Sequence, residues 1–426
     1  MKITLKNITF YGFKSKSRTA HVSLCDDVSI IYADNGVGKT SFLNALHYFF
    51  TQQESELVRL DISKITCTYV EDEKEKVITV NYDQKKLSFD WKDFEKSALA
   101  RSTSTYIAIE RAVNHRNFSD LSPSDILEYM VSSNYLTQYS TPSKRIIAND
   151  MYSFLLKQKE KNEKENSFLE YKKTYAHDFI KNNNIYNLEV LLKEEYKKYL
   201  LKSSILFNRI LFESLSSILS KNSKDNIKHS DVLEIVKNKN RIIRIVKSES
   251  NDDKNIIDPE LDIRKDIINI LSNEDKIAID QVSESILKPL FYNIYLKIAD
   301  IEATSNINSL ISTFNSYLDK DKELIVNKDK VYIKVKNQTE CTHDLDDLSS
   351  GERHILTLLT TVLLKSENKN FLFIDEPEIS LNVRWQINLI DSLKKLIPHT
   401  QIIVASHSPY IAGKKYSKNL CELMLK

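Results

Sequence analysis

Two short segments concentrate the residues whose types and spacing can do chemistry. Ala33-Asp34-Asn35-Gly36-Val37-Gly38-Lys39-Thr40 follows the apolar run Val28–Tyr32 and precedes a helical one. Backbone N–H groups at such a strand-to-helix turn can curl around a phosphate, with Lys39 reaching its outer oxygens and Thr40 ligating a divalent cation. Ala33 replaces the first glycine of the pattern GxxxxGK[ST], which alanine can do where positive φ is not required. The second segment is Phe371-Leu372-Phe373-Ile374-Asp375-Glu376-Pro377. Four apolar residues running into two carboxylates read as a buried parallel strand whose C-terminal end presents the acids. Ligand sites of open parallel sheets lie at that edge. There Asp375 suits a metal ion held through water, and Glu376 suits a general base that polarises an attacking water.

Each segment alone has a plainer reading, a glycine turn with a chance lysine or a strand ending in a solvated acidic turn. Two further segments in the same order argue against coincidence. Leu348-Ser349-Ser350-Gly351-Glu352-Arg353 opens a helix, whose free N–H groups and positive dipole end suit a phosphate. An ordinary SxxE N-cap would look the same. Ser406-His407-Ser408 follows the apolar strand Ile402–Ala405, where a histidine can contact a terminal phosphate and orient water. A lone histidine is more often structural, so its weight comes from its place in the series. The glycines add to the case: the chain has five, where average usage would give roughly thirty. Three of the five lie in NGVGKT and SSGER.

The elements that must position these residues can be read along the chain. Strands are expected over MKITLKNITF, near His21–Leu24 and at Val28–Tyr32, then a helix over Thr40–Gln52. Runs at Lys64–Val70, Lys76–Tyr82 and Lys86–Trp91 alternate in type and suggest an antiparallel meander, with another strand near Thr105–Arg111. From about Asp125 to Tyr317 the chain is helical and rich in Lys, Glu and Asn. Leu188, Leu192, Tyr196 and Tyr199 recur at helical spacing, and SSILFNRILFESLSSIL has apolar residues on more than one face, as expected for packing within a helical subdomain or against a partner. Ser248–Lys254 reads as a surface loop and Glu323–Val335 as a hairpin. Lys237–Lys247 carries five basic side chains and no acid. A solvated helix face is the expected reading, with nucleic-acid binding as the alternative.

Composition narrows the setting. The 61 basic and 59 acidic side chains leave a net charge of +2, so any nucleic-acid surface must be a local patch. Cys25, Cys67, Cys341 and Cys421 form no CxxC pair, which fits a reducing compartment. No apolar core of signal-peptide length opens the chain and no apolar run reaches about 18 residues, so no membrane span is expected and the cytoplasm is the expected location.

In this order, phosphate loop, LSSGE, strand-DEP, SLN turn and SHS, the motifs resemble the ABC-type ATPase heads of the Rad50/SMC class. The wording DEPEISLN…SHSPYIA is most similar to ATPases of the overcoming-lysogenisation-defect (OLD) group and of the Septu and PARIS antiphage systems. The resemblance covers the two ends of the chain and not its middle. It implies an α/β fold: an ABC-type ATPase head, with a parallel sheet plus an antiparallel β lobe, and a helical insert. Residues 1–124 and 318–426 would form the two parts of the head and 125–317 the insert or lid. It implies hydrolysis of ATP to ADP and phosphate with Mg²⁺. Asn35, Gly36, Val37, Gly38, Lys39, Thr40 and Ser41 would hold the nucleotide, Thr40 and Asp375 the metal, and Glu376 and His407 would be catalytic. Two heads would sandwich ATP head-to-tail in a homodimer or larger homo-oligomer, with Ser349, Ser350 and Gly351 reaching the γ-phosphate bound to the partner. Asn382 stands where transport-type members have Asp, and Gln138 is the candidate for the family's magnesium-ligating glutamine.

There are departures as well. A Rad50 protein would have a long coiled coil with a CxxC hook, and a transporter head would have a shorter insert. OLD proteins continue into a TOPRIM nuclease domain, whereas this sequence ends at Lys426, 19 residues beyond His407. The expectation is an antiphage defence ATPase that controls a separate effector, a TOPRIM or HNH nuclease. The alternatives are a Rad50/SMC-like DNA-repair or DNA-clamping ATPase and an ATP-binding scaffold, the last disfavoured by the intact Glu376 and His407.

Overall fold

The first strand, β1 (Ile3–Tyr11), does not keep one alternation throughout. Ile3 and Leu5 are buried at odd positions, then Ile8 and Phe10 at even ones. The slip is a bulge: pairing with β4 (Lys64–Glu71) shifts register between Leu5 and Asn7. One extra residue lets both halves of the strand face the same core. In the computed structural model, which describes residues 3–34, 36–108, 123–132, 143, 145–151, 153, 175–181, 188–219, 227–247, 259–285, 287–303, 306–335 and 342–426, β1 sits inside an antiparallel sheet. Its flanking strands are β2 (Thr19–Ser23) and β15 (Met424–Leu425) on one side, and β4, β5 (Lys74–Asp83) and β6 (Ser88–Phe89) on the other. Between β4 and β5 the chain turns at Asp72 and Glu73, both with positive φ. The mirror-image turn that matches strand twist is thus made without glycine.

A second sheet is wholly parallel: β14 (Leu420–Glu422), β3 (Val28–Tyr32), β13 (Gln401–Ala405), β12 (Phe371–Asp375), β7 (Ser104–Ala108) and β8 (His177–Lys181), in that order. Strands from the two ends of the chain are interleaved in it, β3 between β14 and β13 and β12 beside β7, so the sheet needs both ends. The helix Lys39–Thr51 lies in the core that the two sheets share. Phe42 meets Phe10 of the antiparallel sheet with ring centroids 5.3 Å apart, and Phe50 meets Phe371 of the parallel sheet at 5.2 Å. A helix apolar on both sides is one buried on both sides. The helix Ser350–Ser366 packs against β7 and against the helix Val383–Leu396.

By contacts the chain forms two compact units, Met1–Leu188 with Leu348–Lys426, and Glu189–Asp347. The second is helical apart from β9 (Lys322–Val326), β10 (Val331–Val335) and β11 (Thr342–His343). Its core joins Phe207, Ile210 and Leu211 with Val232, Ile235 and Ile242. Ile205 and Phe212 from the same apolar run stay exposed. The Glu323–Val335 hairpin forms as expected, with Asn327 Oδ1 accepting from the amides of Asp329 and Lys330. It groups with this helical unit, beyond the boundary expected at 317. Ser248–Lys254 lies outside the described residues. Among the described residues no helix is long and apolar enough to cross a membrane.

Candidate active site

Register decides what meets at the C-terminal edge of the parallel sheet. Asp375 lies opposite Ala405, and Ala405 opposite Ile31. The segments leaving β3, β12 and β13 therefore emerge side by side, and Lys39 meets His407 across 368 residues of sequence.

From β3 the chain enters the phosphate loop. Gly36 (φ +80°) has open space where a side chain would sit, and Gly38 (φ +112°) is closed in by Phe13 and Lys14. An L side chain would be strained at both positions. Ala33 keeps a negative φ, so the missing first glycine costs nothing there. Its carbonyl accepts a hydrogen bond from Lys39 Nζ at 2.7 Å. Lys39 is only 4% exposed, and its ammonium also lies 3.1 Å from His407 Nδ1. Burial pulls its pKa below the usual lysine range, opposed by Glu376, Glu378, Asp375 and Asp34. Thr40 and Ser41 follow in the first helical turn. Val37 packs against the core. Asn35 and Gln138 lie outside the described residues.

β12 is buried along its whole length. Burial is the main reason that Asp375 is pushed up to about 6; the hydrogen bond from Thr40 and the charge of Lys39 oppose it, while Glu376 and Glu378 add to it. Its Oδ1 is buried without a hydrogen-bond partner among the described residues. A buried, unpaired carboxylate oxygen beside a hydroxyl is an oxygen donor set suited to a hard divalent cation such as Mg²⁺, which completes its shell with water and phosphate. Glu376 sits at φ +49°, a strained conformation for a residue with a side chain. Its amide donates to the carbonyl of Ala405 at 2.8 Å, which fixes the bend against β13. The carboxylate then stands 3.2 Å from His407 Nε2. His407 thus bridges Lys39 and Glu376 through its two ring nitrogens.

The structure brings Lys39, Thr40, Asp375, Glu376 and His407 together. Ser349, Ser350 and Gly351 open the neighbouring helix. Ser349 is its N-cap in a reciprocal box with Glu352: Oγ accepts from the Glu352 amide at 3.3 Å, and the Ser349 amide donates to Glu352 Oε2 at 2.8 Å. The capping reading is therefore realised, and Ser349 and Ser350 remain exposed. Gly351 is packed so tightly that an added Cβ would lie 2.9 Å from both the Ser380 carbonyl and the Trp385 ring. Asn382 caps the helix Val383–Leu396 through the Trp385 amide at 3.0 Å. In the basic run, Lys237 pairs with Glu234 and Lys239 with Asp275, while Ile242 and Val246 are buried. Acids missing from the run itself are supplied from outside it, Glu234 one turn back on the helix that ends at Lys237 and Asp275 on another helix, as a solvated face would have it.

Two site residues escaped the sequence reading. Glu378 accepts from the Ser406 hydroxyl and from the amides of His407 and Ser408. Lys14 brings its ammonium to 3.2 Å from the place where a Cβ of Gly38 would be. A third acid just after a strand end was the only signal for Glu378, and Lys14 had none.

A family model described as an AAA ATPase domain matches residues 1–412. The Septu protein PtuA of Bacillus mycoides (strain KBAB4) is 30% identical over 123 residues, 27% of this chain and 17% of that protein. The retron Ec83 probable ATPase of Escherichia coli is 31% identical over 109 residues, 23% of this chain and 18% of its own length. The match thus spans less than a fifth of either relative. Among solved structures, an Smc head domain with an extended coiled coil from Pyrococcus furiosus, bound to the C-terminal domain of ScpA, aligns over 100% of this chain and 96% of that one, at 13% identity and TM-score 0.39.

Proposed function

This chain belongs to the AAA ATPase domain family, and we propose that, as an ATPase of that kind, it works within an antiphage defence system by pairing its heads around ATP and controlling a separate effector. The reading of the site rests on one observation above all. Register sets the ends of β3, β12 and β13 side by side, so that Lys39, Glu376 and His407 form one bonded series. Lys39 is the counter-charge for the β- and γ-phosphates, whose arrival replaces the Ala33 carbonyl and the histidine as its partners. Thr40 and Asp375 would hold Mg²⁺, which would neutralise charge on the phosphates. Glu376 takes a proton from the attacking water as its oxygen bonds to the γ-phosphorus and the bond to the bridging oxygen of ADP breaks. His407, tethered to Glu376, orients that water and the γ-phosphate.

The exposed residues Ser349 and Ser350, at the start of a long helix with its N-terminal dipole, support a role for this segment against a nucleotide on a second copy. The head is assigned to both chain ends, 1–124 and 318–426, and the insert to 125–317. The grouping of residues 1–188 with 348–426 supports a head made from both ends. The similarity to a Septu protein and a retron ATPase supports the defence setting, and the effector is assigned as a TOPRIM or HNH nuclease.

Three experiments test this reading. Glu376→Gln should keep ATP affinity and lose turnover by about 10²–10⁴-fold; near-normal hydrolysis would mean that another carboxylate is the base. Mixing Lys39→Ala chains with Ser349→Arg chains should restore activity, one working site per heterodimer. Heterodimers that form and stay as inactive as either parent would end the shared-site assignment. Co-purification with the product of a neighbouring nuclease gene, and ATP-dependent change in its activity, tests the effector.

A further inference from the structure

Glu378 lies two residues beyond the catalytic carboxylate, and its interactions are arranged unlike those of its neighbours. One oxygen, Oε1, accepts three hydrogen bonds, from Ser406 Oγ at 2.7 Å, from the His407 amide at 2.6 Å and from the Ser408 amide at 3.1 Å. All three donors belong to the tripeptide centred on His407. The other oxygen, Oε2, is buried with no hydrogen-bond partner among the described residues. Leaving one buried carboxylate oxygen unpaired is unfavourable. The strength of charge-assisted bonds on the other offsets it. The tripeptide is held from a second side as well: Ser408 Oγ donates to Gln386 Oε1 at 2.5 Å, and Gln386 Nε2 donates to the Leu381 carbonyl at 2.7 Å.

Without this grip the histidine would have little to hold it. Its side chain is 37% exposed, just beyond β13, and among the described residues the polar partners of its ring are groups that must exchange partners during turnover, Lys39 Nζ at 3.1 Å and Glu376 Oε1 at 3.2 Å. Once a phosphate draws Lys39 away, Glu376 is left as the ring's polar partner, and the backbone must supply the rest of the hold on the imidazole. We propose that Glu378 is a positioning residue, whose carboxylate clamps the Ser406–Ser408 backbone so that the His407 imidazole keeps its place beside Glu376 when the nucleotide is bound. The proposal rests on the ATPase reading of the site given above.

A double-mutant cycle between Glu378 and His407 separates positioning from general structural damage. Turnover, KM for ATP, nucleotide affinity and melting are measured for Glu378→Ala, His407→Ala and the double variant. Misplacement of a reacting group by about 1 Å can cost on the order of 10²-fold. Glu378→Ala should therefore lower kcat by about 10- to 100-fold, with ATP affinity kept within about twofold. In the His407→Ala background it should have no further effect, since the group it positions is gone. Wild-type kcat in Glu378→Ala, or the same loss with and without His407, would overturn the proposal. If the alanine variant does not fold, Glu378→Gln preserves the shape and runs the same cycle. A kcat loss in Glu378→Gln that vanishes without His407 supports positioning; unchanged kcat or a loss that persists refutes it. Glu376→Gln is assayed alongside. Should it remain active, the ATPase reading of the site fails; should it be inactive while the Glu378 cycle is flat, only the positioning role fails.

Discussion

His47 offers a test of how the core supports the nucleotide site. It lies on the Lys39–Thr51 helix, 4% exposed, with its ring 5.1 Å from that of Phe179 and 5.7 Å from that of Tyr106, and its Nδ1 has no hydrogen-bond partner. Burial, helped by the nearby His177, lowers its pKa from 6.5 to about 4. The sign follows directly. In the unfolded chain the imidazole protonates as pH falls through 6.5, while in the folded protein it resists until about pH 4. The unfolded state therefore binds more protons in that interval, and folding stability is intact above pH 6.5 and declines as pH falls toward 4. At about 1.4 kcal/mol per pH unit, the complete loss from this one group is about 3 kcal/mol. The perturbation is His47→Leu, an apolar replacement for a group that is neutral when folded. Urea unfolding at a series of pH values from 8 to 4.5 should show the two proteins similar at pH 8. The variant should then gain relative stability on acidification, by about 2 kcal/mol or more at pH 4.5. Because the folded protein keeps His47 neutral over this interval, the ATP affinity of the folded wild type should not follow the same pH curve. A His47 ring titrating near 6.5 by NMR, or parallel pH dependences in wild type and variant, would refute the reasoning.

Three other outcomes are expected from the same geometry. Gly351→Ala places a methyl 2.9 Å from the Ser380 carbonyl and the Trp385 ring, so the helix start must shift; a loss of about 1–3 kcal/mol in thermal or urea unfolding, with reduced hydrolysis, should result. Gln401→Leu removes the side chain that accepts from the Leu5 amide at 2.8 Å and donates to the carbonyls of Leu5, at the β1 bulge, and of Cys25, which keeps a hydrogen bond from Ser29 Oγ at 3.3 Å. The unfolding free energy should fall by about 2–5 kcal/mol, and an unchanged melting curve would contradict it. Charge reversal at Lys239, Arg241 and Arg244 should leave DNA and RNA binding unchanged in filter-binding assays, because Lys239 is already paired with Asp275; a steeply salt-dependent affinity lost in the variant would show that a phosphate-binding patch is present.

Much of the site could be read from adjacent residues alone. A strand, a glycine-bearing turn and a helix dictate where Lys39 and Thr40 must be, since the φ values at Gly36 and Gly38 are local. Four apolar residues ending in Asp375 and Glu376 describe a buried strand with acids at its tip, and β12 is that strand. The Glu323–Val335 hairpin followed from its turn residues in the same way. These features depend on backbone stereochemistry and burial over a few residues, which composition and spacing encode directly.

Tertiary structure alone decided the rest. The sequence offered Glu378 as one acid in a turn, and only the pairing of β12 with β13 turns it toward the His407 backbone. Gln401 stands just before the apolar run Ile402–Ala405, and its amide serves a bulge 396 residues away. The β1 pattern read as a plain alternation until pairing with β4 required an extra residue. Local sequence determines which conformations a segment can adopt and which chemistry it can carry. Partners for buried polar atoms are instead chosen by register and packing, because a desolvated donor or acceptor must be satisfied by whatever the assembled fold brings within about 3 Å of it.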